Sequence, residues 1–159
     1  MAKIIICCGK IASGKTTFCK KIEKEHGVFI FNADEWMMHF FGEAPDCSVF
    51  HNQLEKCITM IYRMADRLLE RGIDVAFDFG FWTKKDRDDC IARFDRKLHS
   101  ITVVYFPVDD QKQIENIHKR QEGNMENTFA FTEEKLQFFN KKFEEPQDFE
   151  CVRIENFML

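Results

Sequence analysis

The chain has 159 residues, 45% of them hydrophobic and 31% charged, which is enough for one domain of ordinary size to build a core without covalent staples. Its 23 basic and 27 acidic residues leave a net charge of -4, so nothing draws it generally to a phosphodiester backbone and a nucleic-acid partner is disfavoured. The seven cysteines include no C-x-x-C pair, no apolar run reaches the ~18 residues of a membrane span, and Met1 to Cys8 is too short for a secretory core; a soluble cytoplasmic protein with reduced thiols is expected.

Apolar runs alternate with longer segments of helical period, the pattern of a parallel sheet covered on both faces by helices. The first run, Lys3 to Cys8, reads as a strand. It enters Gly9-Lys10-Ile11-Ala12-Ser13-Gly14-Lys15-Thr16, which satisfies G-x-x-x-x-G-K-[ST] at every fixed position. Glycines let such a loop wrap closely, with successive N–H groups aimed at a phosphate from the positive end of the following helix, here Lys15 to Glu25, stopped near Gly27. Gly9, Ala12, Ser13, Gly14, Lys15, Thr16 and Thr17 are the expected nucleotide contacts. Lys15 is expected to reach the β- and γ-phosphates and the Thr16 hydroxyl to ligate Mg²⁺, so a nucleoside triphosphate with Mg²⁺ is the expected ligand.

A second strand, Val28 to Asn32, is followed by Asp34, which emerges at the carboxyl edge of the sheet, where open α/β sheets bind their ligands. Asp34 is the candidate base for an attacking hydroxyl, with Glu35 as its substitute; the alternative role for Asp34 is to cap the next helix. From Val49 to Arg71 apolar residues recur at spacings of three and four, and Gly72 closes that helix. The third strand, Ile73 to Phe79, brings Asp78 to its end as a candidate for the Mg²⁺ shell or the attacking group. Trp36 and Trp82 each follow a strand-end acid and are candidates to wall an acceptor site.

A helix over Lys84 to Lys97 carries Arg87, and a fourth strand, Ser100 to Phe106, ends at Pro107. Asp109 or Asp110 can cap the helix that runs to about Glu122, with Arg120 near its end as a candidate to stabilise a transferring phosphoryl group; Arg87 is a second candidate. Residues 116–132 form the expected lid, its polar part lacking a clear period. Thr132 can cap a helix to Phe143; Phe129, Phe131, Phe138, Phe139 and Phe143 are expected to pack it, with the lining of an acceptor pocket under the lid as the alternative role, and Cys151 to Glu155 is a fifth strand. No linker-like stretch divides the chain, so residues 1–159 are expected to form a single domain. Asn140-Lys141-Lys142-Phe143 lacks the aspartate that reads guanine in N-K-x-D, and no histidine spacing suggests a metal site.

Beyond the loop, Asn32-Ala33-Asp34, Phe77-Asp78-Phe79-Gly80-Phe81-Trp82 with Arg87, the Arg120 helix, Thr128 to Glu134, and Phe143-Glu144-Glu145-Pro146 with Glu150 give the chain a likeness over nearly its whole length. It resembles the compact AAA-type ATP-binding proteins grouped with zeta toxins, chloramphenicol phosphotransferase and the polynucleotide kinase domain. The resemblance implies an α/β P-loop NTPase sandwich, a five-stranded parallel sheet in order 2-3-1-4-5, a helical lid, and transfer of the γ-phosphoryl group of ATP to a hydroxyl, with Asp34 as base and Arg120 as lid arginine. Two positions depart from the family: Met37 and Asn116 stand where relatives carry arginines. The expected activity is therefore a small-molecule kinase. A nucleotide-dependent regulatory protein and a polynucleotide 5′-hydroxyl kinase are the alternatives. Neither the acceptor nor the oligomeric state is encoded in a recognisable pattern.

Overall fold

The computed structural model describes residues 1–42, 47–122 and 133–154, with the backbone alone at 47–48, 121–122 and 133–135. Its order is β1 (Ala2–Cys8), α1 (Lys15–His26), β2 (Phe29–Asn32), α2 (Ala33–Phe41), α3 (Cys47–Leu69), β3 (Val75–Gly80), α4 (Lys84–Arg93), β4 (His99–Tyr105), α5 (Asp110–Glu122), α6 (Glu133–Asn140) and β5 (Val152–Arg153). The strands form one sheet in the order β2-β3-β1-β4-β5, and every pairing is parallel. This is the three-layer P-loop sandwich implied by the family resemblance.

The period of two in β1 serves both faces of the sheet. Ile4, Ile6 and Cys8 point to one side, where they join Phe31, Phe77, Val103 and Tyr105 under Ile61, Ala65 and Leu69 of α3 and Cys90 of α4. Ile5 and Cys7 point to the other, against Phe18 and Cys19 of α1 and Phe106. Phe77 stacks on Phe31 and Phe94 at 5.8 Å each and meets the edge of Tyr62 at 5.4 Å, so one ring ties β2, β3, α3 and the end of α4 together.

Several boundaries differ from those read in the sequence: α3 stops at Leu69 and α6 at Asn140, and three others show why. The helix expected to reach Lys97 stops at Arg93, because Phe94 turns extended and buried while the Asp95 carboxylate accepts the Lys97 N–H at 2.8 Å, replacing a helical bond with a local side-chain turn. The third strand begins at Val75, since the Ile73 N–H is spent on Leu68 O at 3.0 Å in the helix exit around left-handed Gly72. The fifth strand is only Val152–Arg153, a short edge paired to β4.

Candidate functional site

The Gly9–Thr16 loop hangs between strand ends. The Gly9 N–H donates to Gly80 O at 3.1 Å and the Phe106 N–H donates to Cys8 O at 2.9 Å, which fixes the exit of β1 against both neighbours. A Cβ at Gly9 would stand 2.9 Å from Phe106 O and 2.7 Å from Ser13 Oγ, so only glycine fits there. Gly14, left-handed at φ 101°, opens α1 without a side-chain cap on its first turn. The positive end of α1 is thereby left to an anion. Thr17 stands half-buried in that first turn.

Lys15 lies inside the loop it belongs to. Its Nζ donates to Lys10 O at 2.7 Å, Gly9 O at 3.0 Å and Ser13 Oγ at 3.4 Å. Burial lowers its pKa, while Asp78 and Asp34 pull it back up. Behind the loop the Thr16 hydroxyl donates to Asp78 Oδ2 at 2.7 Å, and Asn32 Nδ2 donates to the same oxygen at 3.2 Å across the β2–β3 register pair. Asp78 is 4% exposed. A hydroxyl beside a buried carboxylate at the mouth of an uncapped helix is the hard-oxygen donor set that suits Mg²⁺ with a polyphosphate.

Asp34 sits in the first turn of α2, but the cap there is Asn32, whose Oδ1 accepts the Glu35 N–H at 3.0 Å. Asn32 thus spares the Asp34 carboxylate from capping. That carboxylate is wetted, yet it stands in a concavity crowded by protein. Its pKa is pushed up to about 6, first by this partial desolvation and then by Asp78, against the pull of Lys15. The Arg120 guanidinium on the last turn of α5 is half-buried; desolvation lowers its pKa and Asp78 raises it. Lys15, Asp34, Asp78 and Arg120 therefore share one electrostatic neighbourhood, with Thr16 bonded into it.

The remaining sequence candidates are held by other contacts. Arg87 is 3% exposed, and its Nη1 donates to Glu144 O at 2.9 Å and Phe81 O at 3.2 Å. It is a brace holding the left-handed bend at Phe81 (φ 46°) to the chain after α6, not an open phosphate ligand. Trp82 packs on Phe139 and Phe143 at 5.8 and 5.7 Å beside Gly80, and Trp36 of α2 contacts Phe31 of β2 and Phe40 of its own helix. Glu35 is exposed, and Met37, at 1% exposure, faces inward rather than toward the mouth. The outer lid, residues 123–132, lies outside the described residues.

Asn32 and Asn116 stand out in the sequence only as a matching strand end and as a departure from the family, and the contacts they make here, like those of Gln113, are not foreseen in it. Gln113 Nε2 donates to Ile11 O and Asn116 Nδ2 to Ala12 O, both at 2.9 Å. Their spacing along α5 gives no local sign of a loop contact.

The AAA domain family profile matches residues 4–146. The chain belongs to this AAA-domain family. No curated protein matches its sequence significantly. Solved structures similar to this AAA-domain protein include an inferred kinase from Chloroflexus aurantiacus (16% identity, 97% of this chain and 88% of that one, TM-score 0.74). Kti12 from Chaetomium thermophilum in complex with ADP-AlF3 is also similar (13%, 97% and 89%, 0.71), as is a gluconokinase from Sinorhizobium meliloti (15%, 99% and 84%, 0.65). At these identities the likeness establishes a P-loop, kinase-like fold. Among the described residues no helix is long and apolar enough to cross a membrane.

Proposed function

We propose that the protein is an ATP-dependent phosphotransferase that moves the γ-phosphoryl group of ATP to a hydroxyl of a small molecule. The observation that carries this reading is Asp34: a carboxylate freed from capping, with a pKa near 6, in the field of Lys15 and Asp78 beside the loop. A base of that pKa is mostly ionised at neutral pH yet still takes a proton readily. As the acceptor oxygen bonds to Pγ, the bond from Pγ to the bridging oxygen of ADP breaks and the hydroxyl proton passes to Asp34. Lys15 and the loop N–H groups hold the β- and γ-phosphates, and Arg120 meets the charge on the phosphoryl group in flight. Thr16 and Asp78 would hold Mg²⁺, which would supply charge neutralisation on the polyphosphate.

In this reading residues 1–159 act as one cytoplasmic unit with 116–132 as lid, and the net charge of -4 favours a small acceptor over a polynucleotide. Incubation with γ-labelled ATP, Mg²⁺ and pooled sugars, nucleosides, antibiotics and 5′-hydroxyl oligonucleotides tests it. Label is expected on a small molecule, and Asp34→Asn should abolish the transfer. Label released only to water, and equally by that variant, would leave a nucleotide-dependent regulatory protein instead.

A further inference from the structure

The loop's outer turn contains a left-handed residue that is not glycine: Ala12, at φ 58° and 4% exposure. An L-residue does not hold that backbone unless its surroundings enforce it. The surroundings here are two carboxamides of α5. Gln113 Nε2 takes the Ile11 carbonyl and Asn116 Nδ2 the Ala12 carbonyl, each at 2.9 Å. Gln113 is fully buried, and its amide orientation is pinned by Asn140, whose Nδ2 donates to Gln113 Oε1 at 2.7 Å. Asn140 Nδ2 also donates to Asp110 Oδ1 at 3.2 Å, and that oxygen accepts Lys10 Nζ from the loop at 3.2 Å, closing a ring of polar contacts around the turn.

In a trans peptide the C=O and N–H point in opposite directions. Anchoring the Ile11 and Ala12 carbonyls on α5 therefore turns the N–H groups of Ala12 and Ser13 away from α5 and into the loop. Gln113 and Asn116 lie three residues apart, on one face of the helix, and Arg120 follows Asn116 by about one turn.

We propose that Gln113 and Asn116 are positioning residues of the phosphate loop, which aim the Ala12 and Ser13 N–H groups at a bound polyphosphate and fix where Arg120 stands relative to it. This rests on reading the loop as a polyphosphate site. The latch makes two demands on binding: ADP uses the aimed N–H groups, and ATP additionally uses the placement of Arg120.

The test is the affinity of the full chain for Mg-ADP and Mg-ATP, measured with fluorescent ADP and by competition, together with melting of the nucleotide-free protein. Asn116→Asp keeps the shape but sets a carboxylate against the Ala12 carbonyl, so its ADP Kd should rise about tenfold; Asn116→Ala only loses the bond and should cost about threefold. Melting should move by no more than about 3 °C, as for a single half-buried hydrogen bond in a chain of this size. ATP should lose more than ADP, and this excess should vanish in an Arg120→Ala background, a coupling that a merely structural residue does not produce. ADP affinity within twofold of wild type in both variants overturns the latch, as does weakened binding matched by a collapse in melting temperature. An ATP excess that persists without Arg120 removes the link to that arginine. Should Asn116→Asp fail to fold, Asn116→Ala carries the test alone. Lys15→Ala separates the two ideas: if it binds ADP as well as wild type, or wild type binds none, the loop reading falls and the latch with it.

Discussion

Replacing Asp34 by Asn gives a sharp test of how the site is built. In the folded protein the Asp34 pKa rises from 3.8 to about 6. At 1.36 kcal/mol per pH unit that is at most about 3 kcal/mol, and because the carboxylate is wetted, screening reduces it to about 1 kcal/mol. A carboxyl whose folded pKa lies above its unfolded value adds stability that is complete below about pH 4 and is lost as pH rises through about 6. Urea melts of wild type and Asp34→Asn, without nucleotide, from pH 4 to 8 report on this group and its coupling to Asp78 and Lys15, since titrations of remote groups cancel in the difference. Asp34→Asn should gain about 1 kcal/mol on wild type between pH 4 and 7, with no further change above. The N-terminus of α2 acts in the opposite sense, favouring a negative charge by about 0.3–1 kcal/mol. A flat difference, or one in which wild type gains with pH, would mean that the helix end outweighs burial and Asp78, and Asp34 would then not be the proton-hungry group on which the proposed transfer depends.

Arg87→Ala should leave two carbonyls without their donor and lower stability by about 2–4 kcal/mol, read as a fall in Tm of about 5–12 °C, while the Kd for Mg-ADP stays within about twofold. A large loss of nucleotide binding at unchanged Tm would return Arg87 to the site. Gly9→Ala sets a methyl 2.9 Å from Phe106 O, a backbone atom that cannot step aside, so the loop itself must shift. Mg-ADP binding should weaken by at least about a hundredfold, with a stability loss of about 1–3 kcal/mol, as isothermal calorimetry and melting would reveal.

What was legible in the amino-acid order is what short-range chemistry dictates. The strand-loop-helix from Lys3 to Glu25 is written in consecutive residues, because a phosphate loop needs its glycines, lysine and hydroxyl at fixed spacing. The alternation of apolar runs with helical periods was enough for five parallel strands under helices, whereas their order followed from resemblance to a family, since no local pattern states which strand neighbours which. Asp34 and Asp78 were found as acids at strand ends. Different roles were expected of them there too, but not the side chain that stands between them, two residues before Asp34: Asn32 caps α2 and bonds Asp78 at once, and that double contact exists only when β2 and β3 lie in register.

Arg87 shows the opposite error. Its position just after Phe81-Trp82 suggested a charge for the transferring phosphoryl group, but the guanidinium turns inward, where the bend at Phe81 and the chain at Glu144 offer it carbonyls. Asn116 stood out only as a departure from the family's arginine, and neither it nor Gln113 carries a local sign of a loop contact, since a polar residue on a helix looks the same whether it faces water or a loop a hundred residues away. By itself the sequence determined the phosphate loop, the class of fold and the acids available to it. Tertiary packing decided which of those polar groups meet, because hydrogen bonds across 46 to 104 residues depend on sheet register and helix placement rather than on neighbouring residues.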